Sequence, residues 1–344
     1  MNNRDSTLDL AKGILIILVV LGHSIQYSFG QEWLSSLLFF DDVVFKTIYS
    51  FHMPLFMLIS GYLFYNSNKK DLKPLVISKL KAIGIPMLSF ILLYKALPYV
   101  ELLLDGDILG PIKDYIRTVV FGMIMWFLLS LLLNMAILAI LTRLVKRKEL
   151  QYLVMAALFV ASFFIPDSVV LGVHKFMFPF FCIGYIIKQS DLNIYASSSK
   201  FIRMGLLTVL SVASIIWFDR NTYIYTSGFC ILGDPCYHLL IDVKRIIIAL
   251  VVSYTFMQYV HLLVSKRNII TEGIIRLGQM SLFIYGLNMV FNTYYSRVLS
   301  YWSLNFDFNY ILPIVVTSCF ILVSYYLYRL LDKSKITRIV FLGK

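Results

Sequence analysis

Three polar residues on the first apolar segment have the types and spacing to take part in catalysis. Asp9, Lys12 and His23 are separated by 3 and 11 residues. At about 100° per residue, 11 steps leave His23 only about 20° from Lys12 around a helix, and at about 1.5 Å per residue it lies about 16 Å farther along the axis. The three side chains are therefore predicted to share one face. A long ligand could lie along it, between a cation at one end and a general base at the other.

Each of these residues also has a structural interpretation. An ionisable group inside a bilayer costs at least about 2.5 kcal/mol on insertion scales, which marks it as a functional candidate. His23 could instead be a packing residue that is hydrogen-bonded to a neighbouring helix. Lys12 could be an interfacial anchor that reaches lipid phosphates. The sequence alone leaves both alternatives open.

A second histidine precedes a proline in the segment that follows. Pro54 lies two residues after His52 and removes a backbone hydrogen bond, which a membrane helix tolerates where it faces protein or a wet cavity. His52 is predicted near the outer end of its helix, where it could meet a substrate from outside or serve as a capping or packing residue. Ser60 and Gly61 on the same segment favour close helix packing.

A polar stripe is predicted on a helix near the C-terminus. Ser281, Tyr285, Asn288 and Asn292 follow one another at spacings of 4, 3 and 4, so they share one helical face. Such a face must contact protein or water, and hydrogen bonds between helices are favoured over catalysis.

The composition identifies the environment in which these residues lie. Of 344 residues, 59% are hydrophobic and only 15% are charged, whereas soluble domains average about 45 to 50% and about 25%. A soluble globular enzyme is excluded. The four cysteines include no Cys-x-x-Cys pair, so no metal site is expected. Cys230 and Cys236 could pair outside the cell or remain free thiols.

The apolar runs predict an all-α, polytopic membrane protein with a single domain over residues 1–344. A bilayer core of about 30 Å requires about 20 apolar residues per helix, and ten runs approach this length. They are Leu10 to Phe29, Thr47 to Tyr65, Ala82 to Leu103, Thr118 to Leu141, Leu150 to Ile165, Val169 to Ile187, Ile202 to Phe218, Ile246 to Leu263, Met280 to Leu299 and Ile311 to Leu330. Pro166 and Asp167 split the fifth run from the sixth, so these two could form a tilted or shallow hairpin.

The distribution of basic residues predicts the orientation. Most of the 31 Lys and Arg residues fall in loops on the side of the N-terminus, which places both termini in the cytoplasm of a bacterial inner membrane. This bias accounts for the net charge of +12 without a nucleic acid partner. The first run is expected to remain as a helix. Lys95 is interpreted as a snorkelling residue of the third run, and Asp242 with Arg245 as an exposed ion pair.

Several blocks of this sequence resemble the bacterial acyltransferase family 3, the integral-membrane O-acyltransferases. The family's first-helix pattern, a basic residue and a histidine with ten residues between them, falls on Lys12 and His23. The usual arginine is a lysine here, which keeps the charge and loses the bidentate fork, and a histidine common in a late block is Asn288. The blocks that carry the likeness are Leu8 to His23, Phe51 to Phe56, Ser60 to Tyr62, Lys79 and Lys81 before Pro86, Trp126 to Leu128, Phe180 to Tyr185, and Leu277 to Tyr285.

The resemblance implies transfer of an acetyl group from acetyl-CoA to a hydroxyl of an extracytoplasmic or lipid-linked glycan, with membrane lipid around the protein. His23 is then the base or acyl carrier, and His52 helps to place the acceptor. The implied donor contacts, which would bind the phosphates of CoA, are Lys12, Asp9, Lys79 and Lys81. The implied substrate contacts are Ser60, Tyr285 and Asn288.

Two other functions fit part of the sequence. A transporter or exporter of glycans or small solutes would explain a broken helix and intramembrane histidines, but it predicts inverted repeats, which the sequence does not display. A non-catalytic membrane scaffold would not require Lys12 and His23 on a common face.

Overall fold

The computed structural model describes residues 5–28, 38–166, 168–194, 200–229, 235–301 and 310–344, and within these ranges it contains helices and no strand. The α-helices are α1 Ser6–Ser28, α2 Leu38–Asp41, α3 Val43–Tyr49, α4 His52–Asn68, α5 Leu72–Lys79, α6 Ile85–Tyr94, α7 Ala96–Leu104, α8 Leu109–Phe121, α9 Trp126–Leu144, α10 Lys148–Ser162, α11 Val169–Gln189, α12 Lys200–Trp217, α13 Ile224–Ser227, α14 Pro235–Val264, α15 Ile269–Gln279, α16 Ser281–Tyr301, α17 Ile311–Leu331 and α18 Lys335–Thr337. A 3₁₀ turn forms at Arg220–Thr222, and π-helical turns form at Leu80–Gly84 and Arg338–Leu342.

The prediction of an all-α membrane protein is confirmed, but the count of ten spanning helices is not. Seven helical segments in the described part are long and apolar enough to cross a bilayer, and α15 with α16, bent by 73°, would be an eighth. Ile202–Trp217 is apolar but shorter, and α10, with 15 residues, is also short. The seven segments are Ser6–Ser28, Val43–Asn68, Leu72–Tyr94, Trp126–Leu144, Val170–Gln189, Pro235–Val264 and Ile311–Leu331.

The third predicted spanning run, Ala82 to Leu103, is wrong in its second half. The helix that begins this run ends at Tyr94, and Lys95 is the junction between α6 and α7 rather than a residue within a span. Its ammonium lies 2.9 Å from the carboxylate of Asp114 on α8. The hydrogen bond from Lys95 lowers the pKa of the Asp114 carboxyl below its usual value, since it favours the ionised form. A charge was misread as membrane-embedded because apolar residues flank it on both sides.

Glycines bring the main chains of α1 and α15 into direct contact. A Cβ atom on Gly13 would overlap the carbonyl oxygen of Ile274, and one on Gly278 would overlap the carbonyl oxygen of Asp9. Small residues allow membrane helices to approach closely. The first helix is therefore fixed against α15 at the end that carries Asp9 and Lys12.

Glycines also bring the main chains of α4 and α11 into direct contact. A Cβ atom on Gly61 would overlap the carbonyl oxygen of Phe181, and one on Gly184 would overlap that of Leu58. The prediction that Gly61 serves close packing is confirmed. These contacts position α4, and with it His52, against the centre of the protein.

The first helix is the most enclosed of the spanning segments. It packs against α14, α15, α16 and α17, and 67% of its most apolar stretch is buried, compared with 22% for α17. Polar groups on α1 consequently face other helices and can meet partners there. Asp167 and Cys230 lie outside the described residues, so the predicted break at Asp167 and the predicted pairing of Cys230 with Cys236 stay predictions.

Candidate active site

The imidazole of His23 is hydrogen-bonded across the helix interface between α1 and α16. Its Nδ1 lies 2.8 Å from Oδ1 of Asn288. Because a carbonyl oxygen only accepts, Nδ1 must carry a proton, and in the neutral ring Nε2 then carries the lone pair. Within the described residues, Nε2 has no hydrogen-bond partner. His23 therefore has the tautomer that a general base or a nucleophile requires.

A second asparagine on α16 forms a hydrogen bond to Asn288. Asn292 donates from Nδ2 to Oδ1 of Asn288 at 3.1 Å, so one oxygen accepts from both His23 and Asn292. Asn288 and Asn292 are fully buried, at 0% and 1% exposure, whereas His23 is half-buried. The predicted polar stripe on α16 thus meets α1. The prediction of hydrogen bonding between helices is confirmed for Asn288.

Two hydrogen-bonding atoms of the asparagine pair beside His23 are left over in the described chain, Nδ2 of Asn288 and Oδ1 of Asn292. Nδ2 of Asn288 finds no acceptor among the described residues, and a buried donor without a partner costs about 1 to 3 kcal/mol. Such a group needs an explanation in a folded protein. A polar ligand atom next to His23 would satisfy it, so the predicted contact of Asn288 with a substrate remains a prediction that this amide supports.

Lys12 and Asp9 form an ion pair at the other end of the same face. The ammonium of Lys12 lies 2.7 Å from Oδ1 of Asp9, with side-chain exposures of 16% and 4%. Gln279, the last residue of α15 before the bend, donates to Oδ2 of Asp9 at 3.3 Å. The buried carboxylate thus fixes the position of the cation, and the partly exposed Lys12 is the member of the pair that can reach a ligand.

His52 is held in a different way from His23. Its Nδ1 donates to the carbonyl oxygen of Ile48 at 2.7 Å, within the turn that leads into α4. The ring of Tyr49 lies 4.9 Å away in an edge-on arrangement. His52 also presents its Nε2 lone pair to its surroundings, but the side chain is only 4% exposed.

Tyr49 connects His52 to the neighbourhood of His23, and the sequence analysis missed it. Its hydroxyl donates to Oε1 of Gln26 at 3.2 Å, and Gln26 lies one turn beyond His23 on α1. A Cβ atom at Gly22 would come within 3.0 Å of the Tyr49 ring. No signal along the chain could have identified Tyr49, because it lies among apolar residues and its partner is 23 residues away.

A short segment made of the 3₁₀ turn and α13 covers His52. The 3₁₀ turn and α13 line one side of a small cavity of about 30 Å³ whose other walls include His52 and Arg245. A cavity of this size holds about one water molecule. The segment therefore packs over His52 and leaves only this small space beside it.

The interpretation of Asp242 and Arg245 as an exposed ion pair is wrong. The guanidinium lies 3.2 Å from the carboxylate, and the side chains are 1% and 2% exposed. Arg245 also donates to the carbonyl oxygen of Gly228 at 2.6 Å and to the hydroxyl of Ser227. Its charge was assigned to the surface because it precedes an apolar run, whereas α14 begins earlier and carries it inward. Arg245 holds the covering segment.

The two remaining predicted donor contacts lie on another part of the chain. Lys79 at the end of α5 donates to Oγ of Ser67 at 3.1 Å. Lys81 is exposed, and the structure gives it no ion pair in the described ranges. Neither ammonium contacts Lys12 or Asp9, so the structure does not bring the four donor residues together.

The other predicted substrate contacts are Ser60 and Tyr285. Ser60 donates to the carbonyl oxygen of Phe56 in its own helix at 2.8 Å. Tyr285 is buried at 5% exposure, with its ring edge-on to Phe127 at 5.9 Å. Their roles toward a substrate stay predictions.

Comparison with known proteins gives two kinds of match. A sequence model described as an acyltransferase domain matches residues 5–329. Two proteins named nodulation protein NolL, from Mesorhizobium japonicum and Sinorhizobium fredii, are 30% and 31% identical to this chain over 234 and 244 residues. Each alignment covers 66% of this chain. The chain spans 60% and 61% of the length of these curated relatives. No solved structure matches.

Proposed function

This chain belongs to the acyltransferase family whose sequence model matches residues 5–329, and from this premise we propose that it is an O-acetyltransferase that moves an acetyl group from cytosolic acetyl-CoA to a glycan hydroxyl. The family and the apolar helices make it a multi-pass membrane acyltransferase. The acceptor that we propose is a cell-surface or lipid-linked glycan, reached from the opposite side of a bacterial inner membrane.

One observation carries the proposal: the hydrogen bond between Nδ1 of His23 and Oδ1 of Asn288. It leaves the Nε2 lone pair available to remove the proton of an acceptor hydroxyl. The hydroxyl oxygen then bonds to the thioester carbonyl carbon, the carbon–sulfur bond breaks, and the proton passes from Nε2 to the departing thiolate. In a second route, Nε2 attacks the thioester carbonyl carbon and CoA leaves as the thiolate. The acetyl group then passes from Nε2 to the hydroxyl oxygen, and the hydroxyl proton goes to the thiolate.

A neutral amide suits this position for a physical reason. An aspartate would orient the imidazole equally well and would stabilise the imidazolium more, but it would bury a second ionisable group within the bilayer. Asn288 fixes the tautomer without that cost.

Lys12 is the donor contact that the geometry supports best. Its ammonium is held by Asp9 and stays partly exposed, and phosphate oxygens are strong acceptors for such a cation. A helix rise of about 1.5 Å per residue places it about 16 Å from His23, so an extended donor could contact both residues. Asp9 acts by positioning Lys12 rather than by touching the donor.

The test is acetyl transfer by the purified protein in vesicles, with acetyl-labelled acetyl-CoA and envelope glycans as acceptors. The His23→Gln variant should lose about 10² to 10⁴-fold of the transfer rate, which is the usual contribution of a general base. His261→Gln, which replaces an exposed imidazole on α14, is the matched control and should retain it. Wild-type transfer by a correctly folded His23→Gln protein would remove the catalytic claim.

An exporter of glycans or solutes remains the rival function. It predicts broken helices in both halves of the chain, whereas the described residues contain one bent pair, α15 with α16. The same assay separates the two functions, since an exporter would move a glycan without labelling it.

A further inference from the structure

An open pocket of about 360 Å³ lies where α4 and α9 end, against α11. Four cations line it, and we call it the basic pocket after them: Lys69, Lys70, Arg143 and Lys146. One carboxylate, that of Asp71, also lines it. In the part of the chain that the structure describes, none of the four cations forms a salt bridge. Positive charge therefore exceeds negative charge in this concave surface, and Asp71 forms no salt bridge with any of the four cations in the described chain.

The base of the pocket is a fixed hydrogen-bond network. Arg143 donates from Nη1 to Oδ1 of Asn68 at 3.0 Å and from Nη2 to the carbonyl oxygen of Lys70 at 2.7 Å. The amide of Asn68 in turn donates to Thr142 at 2.8 Å and to the hydroxyl of Tyr185 at 3.2 Å. These bonds set the plane of the guanidinium before any ligand arrives.

The guanidinium retains donors for a ligand. Its third hydrogen bond in the described chain goes to the carbonyl oxygen of Ala139 at 2.7 Å, so two of its five N–H groups remain. A planar guanidinium with free donors, flanked by lysines, matches the oxygens of a phosphate group.

An apolar stripe leads along α9 to this pocket. Leu133, Ile137, Ile140 and Leu144 follow one another at spacings of 4, 3 and 4, and all are exposed, at 42%, 39%, 55% and 78%. Leu72, which lines the pocket, is 45% exposed. On a helix that crosses a bilayer such a stripe faces lipid. The pocket thus has a place for a phosphate and, next to it, a surface for hydrocarbon.

We propose that the basic pocket binds the phosphate of an anionic phospholipid, with an acyl chain along the α9 stripe. A free nucleotide, including the bisphosphate of CoA, offers the same phosphate chemistry but no group for the stripe. Basic pockets between helices at the face that the charge distribution assigns to the cytoplasm are suited to such head groups. A bound phosphate would also relieve the repulsion among the four cations and stabilise the ends of α4 and α9.

The basic pocket is separate from the proposed donor site. None of its lining residues belongs to α1, α15 or α16, the helices that carry Lys12, Gln279 and Asn288. The proposal requires only that the protein crosses a membrane, so it stands or falls independently of the acetyl transfer.

The experiment uses the full chain in nanodiscs of phosphatidylcholine with an increasing fraction of phosphatidylglycerol, and counts retained phosphatidylglycerol by native mass spectrometry. The pocket variant is Lys69→Gln with Lys146→Gln, which leaves the network around Arg143 intact. The control is Arg147→Gln with Lys148→Gln, which removes the same charge from two exposed positions that directly follow Lys146. We expect the pocket variant to retain about tenfold less phosphatidylglycerol and the control to match the wild type.

A competition arm identifies the source of the phosphate. Adenosine 3′,5′-bisphosphate or inorganic phosphate is added to the same nanodiscs, and we expect neither to displace the lipid. The proposal would be overturned if the bisphosphate displaced the lipid and was itself retained by the wild type but not by the pocket variant. That result would assign the pocket to a nucleotide. Equal retention of phosphatidylglycerol by the wild type and the pocket variant would overturn it as well.

Discussion

The two intramembrane histidines use the same ring nitrogen but different kinds of partner. Nδ1 of His23 donates to a side-chain amide on a helix 265 residues away in sequence, whereas Nδ1 of His52 donates to a main-chain carbonyl four residues before it. The orientation of His23 thus depends on tertiary packing and on the residue at position 288. That of His52 is set locally by one helical turn, and no side-chain substitution removes its acceptor.

Their surroundings also differ. His23 is half-buried beside a leftover amide donor, and His52 lies under the segment that Arg245 holds. His23 is partly exposed, whereas His52 is 4% exposed beneath its cover. The difference supports the proposal that His23 carries the chemistry and that His52 helps to place the acceptor.

Replacing each histidine in turn tests the proposed difference between their roles, and we expect the largest effect here. His23→Gln should lower both glycan acetylation and release of CoA by about 10² to 10⁴-fold. In the route through acetylated Nε2 of His23, His52→Gln should lower glycan acetylation while release of CoA stays within a few-fold of the wild type, because the donor half of the site is untouched and water takes the acetyl group in place of the glycan. Both rates are measured in one assay with labelled acetyl-CoA. Equal loss of CoA release in the two variants would contradict the division of roles.

Arg245→Met tests the cover over His52. Removing one member of a buried ion pair costs about 3 to 5 kcal/mol, and here it also removes the bonds to Gly228 and Ser227. We expect a marked fall in the midpoint of thermal unfolding in detergent, together with a larger loss of glycan acetylation than of CoA release. The control is Arg220→Gln, an exposed position on the same segment, which should change stability by no more than about 0.5 kcal/mol. An unchanged midpoint for Arg245→Met would show that the arginine does not hold the cover.

A pair of substitutions at position 288 sharpens the role of the amide. Asn288→Leu removes the acceptor of His23, and loss of a hydrogen bond of about 1.5 kcal/mol corresponds to about a tenfold lower transfer rate. Asn288→Asp keeps an acceptor oxygen for Nδ1 and should retain more activity than the leucine variant. The ratio of the two rates, measured on folded protein, is the readout. Leucine and aspartate variants of equal activity would mean that the tautomer of His23 is fixed by something else.

The smallest effect is expected one turn farther along α16. Asn292→Leu removes a single hydrogen bond to Asn288, which is worth about 1 kcal/mol, so the transfer rate should fall about fivefold or less. The same substitution should not alter the effect of His52→Gln, because the two sites share no partner. A larger loss than that of Asn288→Leu would place Asn292 in direct contact with a substrate.

The elements of the fold were largely predictable, because a bilayer imposes a length and a composition on each helix. The α16 polar stripe followed from its spacing, and its meeting with another helix followed from the cost of exposing polar groups to lipid. The break at Lys95 and the inward position of Arg245 were not predictable in this way. Both depend on partners, Asp114 and the segment after Asn221, that hydropathy along the chain cannot place.

The candidate site was predictable only in part. His23, Lys12 and Asp9 lie on one helix, so a periodicity argument reaches them. The contact of His23 with Asn288, and the position of Tyr49 between His52 and α1, depend on how separate helices pack. Sequence spacing within a helix carries no information about that packing, and these are the contacts that decide the tautomer and the access of each histidine.

The glycine contacts limit which helices of this protein can move relative to one another. At Gly13 and Gly278, and again at Gly61 and Gly184, main chain meets main chain, so neither helix of a pair can slide or roll past its partner without a steric collision. The helices that bear the two histidines are thereby clamped, each to its own neighbour. The proposed acceptor would therefore enter by displacing side-chain hydrogen bonds, such as those that tie Arg245 to the segment over His52.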